Sequence, residues 1–174
     1  MKKTLILVLV LVSIFSLSAA SFAAESIRMG KADWAAHGTR CFAVAVVALQ
    51  GDVIVGAYLD EYQMLPRAET TGVPNSDKAF GEAFANPEQA LASKKVNSEY
   101  YSNNMANAGS TVTIANNFKA LEDFVVGMTV AELEAFLSNN DKEAVVDMVT
   151  GATLTDNYGY LTAFWAAAKD AQSK

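Results

Sequence analysis

From Phe42 to Leu49 every position is apolar, and the run's whole interior is β-branched valine or small alanine: Phe-Ala-Val-Ala-Val-Val-Ala-Leu. Gln50-Gly51-Asp52 interrupts it, and a second apolar run extends from Val53 to Leu59. Two strand-length runs about a glycine-containing turn predict a β-hairpin. The first run has no polar face, so it is expected in the middle of a sheet covered on both sides. Asp60-Glu61-Tyr62-Gln63 then reads as the solvated end of the return strand.

Further on, the period changes. Phe118, Leu121, Phe124 and Val125 share one helical face, and Gly127 ends that helix. Thr129-x-x-Glu132 has the form of a capping box, opening a second helix that turns Val130, Leu133, Phe136 and Leu137 inward. Ser138 to Asp141 closes it. Ala144 to Val149 reads as a short strand or extended segment. Leu161, Phe164, Trp165 and Ala168 predict a last helix. Between hairpin and helices, Leu65 to Lys95 is broken by Pro66, Gly72, Pro74, Gly81 and Pro87. It reads as an irregular excursion with one short helix around Pro87 to Ser93. Asn97 to Asn104 follows as a polar loop with one buried tyrosine. The economical fold is one α+β domain, residues 24–174, an antiparallel sheet with a central β-hairpin flanked by helices.

The first 23 residues read as a signal peptide. Lys2 and Lys3 precede an apolar run from Leu5 to Leu17, and Ser21-Phe22-Ala23 presents small residues for cleavage after Ala23. The expectation is an exported protein, periplasmic or extracellular, with no stable membrane insertion after processing. The formal net charge is −6, and losing the two leader lysines makes the remainder more negative. That balance argues against a nucleic-acid partner. Cys41 is the only cysteine and His37 the only histidine, which leaves no clustered ligands along the chain for zinc, haem or an iron–sulfur centre. No metal site is expected. An electron carrier of this composition would need an organic cofactor.

The stretch that stands out is Asp147-Met-Val-Thr150-Gly151-Ala152-Thr153-Leu154-Thr155. It places three hydroxyls around a Gly-Ala pair, where small residues allow close approach to the backbone. The last helix follows, and a helix N-terminus suits a phosphate. Without further knowledge, a threonine here could be a nucleophile, a helix cap or an attachment point. A nucleophile needs a base, and nothing in the sequence places His37 beside it.

Asp147-x-x-Thr150-Gly151-Ala152-Thr153 resembles the flavinylation motif of the FMN-binding domain family, Asp-x-x-Ser/Thr-Gly-Ala-Ser/Thr. That family contains exported bacterial electron-transfer proteins, related to the flavin-bearing subunits of sodium-pumping quinone reductases. The resemblance implies FMN joined by a phosphoester to Thr153, attached by a separate flavin transferase. Thr150, Gly151, Ala152, Leu154 and Thr155 would surround the attachment point. Asp147 would order the turn or be read by the transferase. The protein would carry electrons between an unidentified donor and acceptor, rather than be an enzyme with its own substrate. The alternatives are non-covalent FMN binding or an FMN-dependent reductase, and a non-redox secreted module that binds a ligand through Leu65–Asn104. His37 reads either as an ordinary surface or core histidine or as a flavin contact, and Asp33-Trp34 as packing. Asn97, Tyr100 or Tyr101 is expected near the flavin.

Overall fold

A computed structural model describes residues 25–38, 40–73 and 85–174. The expected leader, residues 1–23, lies outside the described residues, as do Thr39 and residues 74–84 of the excursion. Four strands form one antiparallel sheet in chain order: β1 (Ile27–Trp34), β2 (Cys41–Gln50), β3 (Val53–Pro66) and β4 (Gln89–Ser93). Five helices follow: α1 (Ser98–Asn107), α2 (Ile114–Val125), α3 (Val130–Asn139), α4 (Lys142–Met148) and α5 (Asn157–Gln172). The expected α+β architecture, with the β2–β3 hairpin at its centre, is what the chain adopts.

β2 lies between β1 and β3, as its composition predicts. Its side chains nevertheless alternate. Ala43, Ala45, Val47 and Leu49 are fully buried against the helices, while Val44, Val46 and Ala48 on the other face are only half-covered. Ile27, Met29, Phe42 and Tyr58 are exposed on that second face. The expectation of a strand covered on both sides is therefore corrected to one buried face.

α5 lies across β1 and β2. Small residues on both sides make that approach close: Ala43 and Ala45 on the sheet, Ala163, Ala167, Ala168 and Ala171 on the helix, all with no exposure. Gly30 is the tightest point. A Cβ built on it would stand 2.0 Å from the Ala167 carbonyl oxygen and 2.5 Å from the Ala171 nitrogen. Both obstacles are helix backbone and cannot swing aside. Gly30→Ala is therefore expected to cost about 1–3 kcal/mol or more, by forcing β1 away from α5. A urea midpoint unchanged by the substitution would contradict this packing.

Thr129 and Glu132 form the predicted capping box, with the Thr129 hydroxyl accepting from the Glu132 amide at 3.1 Å and the Glu132 carboxylate accepting from the Thr129 amide at 2.8 Å. Val130, Leu133 and Leu137 turn inward, with Phe136 partly buried beside them. Three other segments differ from their sequence reading. Lys142–Met148 is a helix, where an extended segment is expected from Ala144-Val145-Val146. Asp141 caps it by accepting from Ala144, and Val145 and Val149 bury one turn apart. Gln89–Ser93 is strand β4, not a helix, because it pairs with the end of β3. Ser98–Asn107 is a helix although few of its residues are apolar and none is buried. Among the described residues, no helix is long and apolar enough to cross a membrane.

Candidate functional site

Asp60 and Glu61 do not end β3. The strand continues to Pro66, and both carboxylates are buried, at 1 % and 0 % exposure. Strand alternation sends them to opposite faces. On one face Asp60 grips the end of β4 and the chain just beyond it, accepting from the Ser93 hydroxyl at 2.5 Å and the Lys95 amide at 3.2 Å. On the helix face Glu61 meets Lys94, whose side chain is 1 % exposed, in a buried ion pair. The Tyr160 hydroxyl donates to the same Glu61 oxygen at 2.8 Å. The other oxygen, Oε1, is buried with no hydrogen-bond partner among the described residues. Two charges withdrawn from water this completely survive only because they face each other.

These charges sit beneath a cavity of about 390 Å³. Lys94, Tyr101, Met105, Ile114 and Tyr160 line it together with His37, and Thr153, Leu154, Thr155 and Asp156 form one side. Its volume falls in the range of small-molecule and cofactor sites. Lys94 stands 4.3 Å from the centre of the Tyr101 ring, a cation–π contact. Burial works to lower the Lys94 pKa, but Glu61 and Tyr101 together outweigh it and the ammonium is held above the usual lysine range. Burial also pushes the Tyr160 phenol far up, and Glu61 adds to it, so Tyr160 remains a hydrogen-bond donor.

His37 reaches the cavity because the chain after β1 packs tightly on the start of α5. Gly159 makes that possible: a Cβ there would lie 2.4 Å from the Ala36 carbonyl oxygen. His37 Nε2 is then 3.6 Å from the Asp156 carboxylate, and Nδ1 is 3.8 Å from Glu61 and 3.4 Å from Lys94 Nζ. His37 is thus an exposed residue that lines the cavity.

His37, Cys41 and Glu61 bring potential metal ligands within 4.8 Å of one another. Their separation in sequence hides this trio from any search for adjacent ligands. Lys94 already holds the place of a cation there, against both Glu61 and His37. The Cys41 thiol is moreover pushed up to about 11, by burial first and Glu61 second. A dication would have to displace the ammonium and deprotonate that thiol. The thiol itself should be unreactive. At pH 8, iodoacetamide is expected to label Cys41 in the folded protein at least about tenfold more slowly than in urea, since only the thiolate attacks. Equal rates would contradict the raised pKa.

The motif residues divide between two sides of the molecule. Thr153, Leu154 and Thr155 face the cavity, and Thr153 is exposed. Thr150 and Gly151 instead line an open groove with Lys119, Asp123 and Met148. Ala152 is buried between the two. Asp147 lies exposed on α4, outside both, and makes no side-chain hydrogen bond to another described residue. Its expected role in ordering the turn is therefore corrected. Two asparagines do that work instead. Asn117, fully buried on α2, accepts from the Thr153 amide at 2.6 Å and lies 3.4 Å from its hydroxyl. Its amide group donates to the carbonyls of Val112 and Thr113. Asn157 donates to the Ala152 carbonyl at 3.1 Å. Gly151 turns the chain at φ 88°, a conformation other residues rarely adopt. Neither Thr150 nor Thr155 caps α5, whose N-cap is Asp156.

Tyr101 is the one member of the Asn97, Tyr100 and Tyr101 group that lines the cavity. Asn97 is buried elsewhere, bonded to Thr71 and Ser93. The segment Leu65–Asn104 is less of a loop than its sequence suggests, because β4 and α1 occupy part of it. Comparison with protein-family models, with curated proteins and with solved structures finds no match to this chain.

Proposed function

We propose that this protein is an exported FMN-binding electron carrier, with the cofactor joined through a phosphoester to Thr153. The observation that carries the reading is the position of Thr153: an exposed residue on the side of a cavity lined by Tyr101, Met105, Ile114 and Tyr160. The reading rests also on the motif from Asp147 to Thr153, all of whose specified positions match.

The lining suits a flat ring. Tyr101, Met105 and Ile114 offer apolar surface to its faces, while His37 offers polar atoms to an edge and the Lys94 charge lies just beneath the wall. FMN, when bound, supplies reversible one- and two-electron transfer that no side chain here supplies. The chain's own part is to hold and surround it. Asn117 fixes the backbone of Thr153, an exposed residue that a transferase can reach. Asp147, exposed and without a side-chain hydrogen bond among the described residues, is available for that transferase to read. Attachment makes retention independent of affinity, which matters where lost FMN is not recovered. Donor and acceptor are redox partners outside this chain.

The test is co-expression with a bacterial flavin transferase in the export compartment, followed by a denaturing gel viewed by flavin fluorescence. A fluorescent band at the size of this chain is the expected result. A dark band, with a control substrate labelled, would contradict covalent attachment. Yellow colour that survives native dialysis of such a protein would favour the non-covalent alternative.

A further inference from the structure

The Glu61–Lys94 pair is not symmetric about the cavity. Lys94 lines it, whereas Glu61 lies behind, on β3, and does not. The pair is thus a fixed dipole whose lysine end lies toward the cavity, just beneath its wall. It is also held rigidly. Glu61 is clamped by Tyr160, and Lys94 is flanked by the Tyr101 ring and His37. At near-zero exposure such a dipole acts through little water, so its effect on a charge in the cavity is large for its size.

From this geometry we infer that Lys94 sets the redox preference of the site, by favouring a bound ring when it is reduced and anionic. The inference rests on the flavin reading above. Reduction brings two electrons to the ring. With one proton taken from solvent, the ring carries one added negative charge. An ammonium facing the cavity stabilises that charge and does nothing comparable for the neutral oxidised ring. Lys94 is therefore a specificity-determining residue, and Glu61 a positioning residue that keeps it charged and in place. The raised lysine pKa agrees with this, since the ammonium stays protonated throughout the neutral range.

The experiment uses the full chain loaded with flavin, reduced by dithionite in the presence of a reference dye at pH 7. The quantity read is the equilibrium constant for two-electron exchange between dye and protein. The double variant Glu61→Gln/Lys94→Met removes the dipole, leaves no unpaired buried charge and keeps an acceptor for Tyr160. It is expected to hold electrons about tenfold less well than the unmutated protein, because a buried dipole with its positive end nearer the ring is lost. Lys94→Arg retains the charge and should stay within about threefold of the unmutated protein. Circular dichroism and melting of each variant, measured without flavin, separate folding from redox effects. A double variant that exchanges electrons like the unmutated protein, or holds them more tightly, would overturn the inference. So would an arginine variant as weak as the double one, because charge would not then be the cause. Unmutated protein that takes up no flavin would overturn the functional reading and this inference together. Flavin uptake with an unshifted double variant would overturn this inference alone.

Discussion

Thr153→Ala is expected to remove all covalent flavin while leaving the fold nearly intact. Thr153 is exposed, and among the described residues its hydroxyl makes one side-chain hydrogen bond, a long 3.4 Å donation to Asn117. The stronger bond to Asn117 comes from the Thr153 amide at 2.6 Å, which alanine retains. Stability should change by no more than about 0.5 kcal/mol. Thr150→Ala and Thr155→Ala are the controls. Thr150 faces the other groove, and Thr155 lies beside Asp156 without capping α5. Both variants should still carry flavin. In the transferase assay, fluorescence lost only with Thr153→Ala is the expected pattern. Fluorescence that survives Thr153→Ala and vanishes with Thr155→Ala would move the attachment by two residues along the same side of the cavity.

Lys94→Met should produce the largest loss of stability. It leaves the Glu61 carboxylate buried at 0 % exposure, with the Tyr160 hydroxyl as its one remaining hydrogen-bond donor among the described residues. Removing one member of a buried pair typically costs about 3–5 kcal/mol. For a domain of this size that lowers the melting temperature by roughly 6–20 °C. Adding Glu61→Gln to the same variant should recover most of the loss, since no buried charge then remains. A single variant as stable as the unmutated protein would show that the pair is hydrated and the cavity floor is not dry. The pH dependence follows from the sign of the shift. The folded lysine pKa is raised, so the stability Lys94 contributes is fully present below the unfolded value, about 10.4, and fades as pH rises through the folded one. Between pH 6 and pH 9 its contribution should be flat.

The sequence is a good guide wherever one local rule decides the outcome. The hairpin follows from two apolar runs about Gly51, and α3 from the Thr129 capping box. It misleads where pairing at a distance decides. Gln89–Ser93 carries no strand signal of its own and becomes β4 by joining the exposed edge of β3. Ala144-Val145-Val146 looks extended because it is β-branched, yet the Asp141 cap and the Val145–Val149 spacing favour a helix. The cavity divides in the same way. Thr153 and its neighbours can be found from a contiguous motif. Lys94 and Asn117 cannot, because each is an unremarked residue until the fold brings it to Glu61 or to Thr153. Glu61 carries a faint signal. Two adjacent acidic residues directly following an apolar strand sit where polar atoms must be buried if the strand continues, and buried carboxylates need partners.

The most direct measurement of the central claim is the intact mass of the protein purified from the export compartment with an active flavin transferase present. Attachment of FMN through Thr153 predicts a gain of roughly 440 Da, the cofactor less one water, over the chain's own mass. Peptide mapping should place that gain on the segment containing Thr153. A protein at its unmodified mass, while a control substrate gains FMN in the same cells, would contradict covalent attachment to this chain.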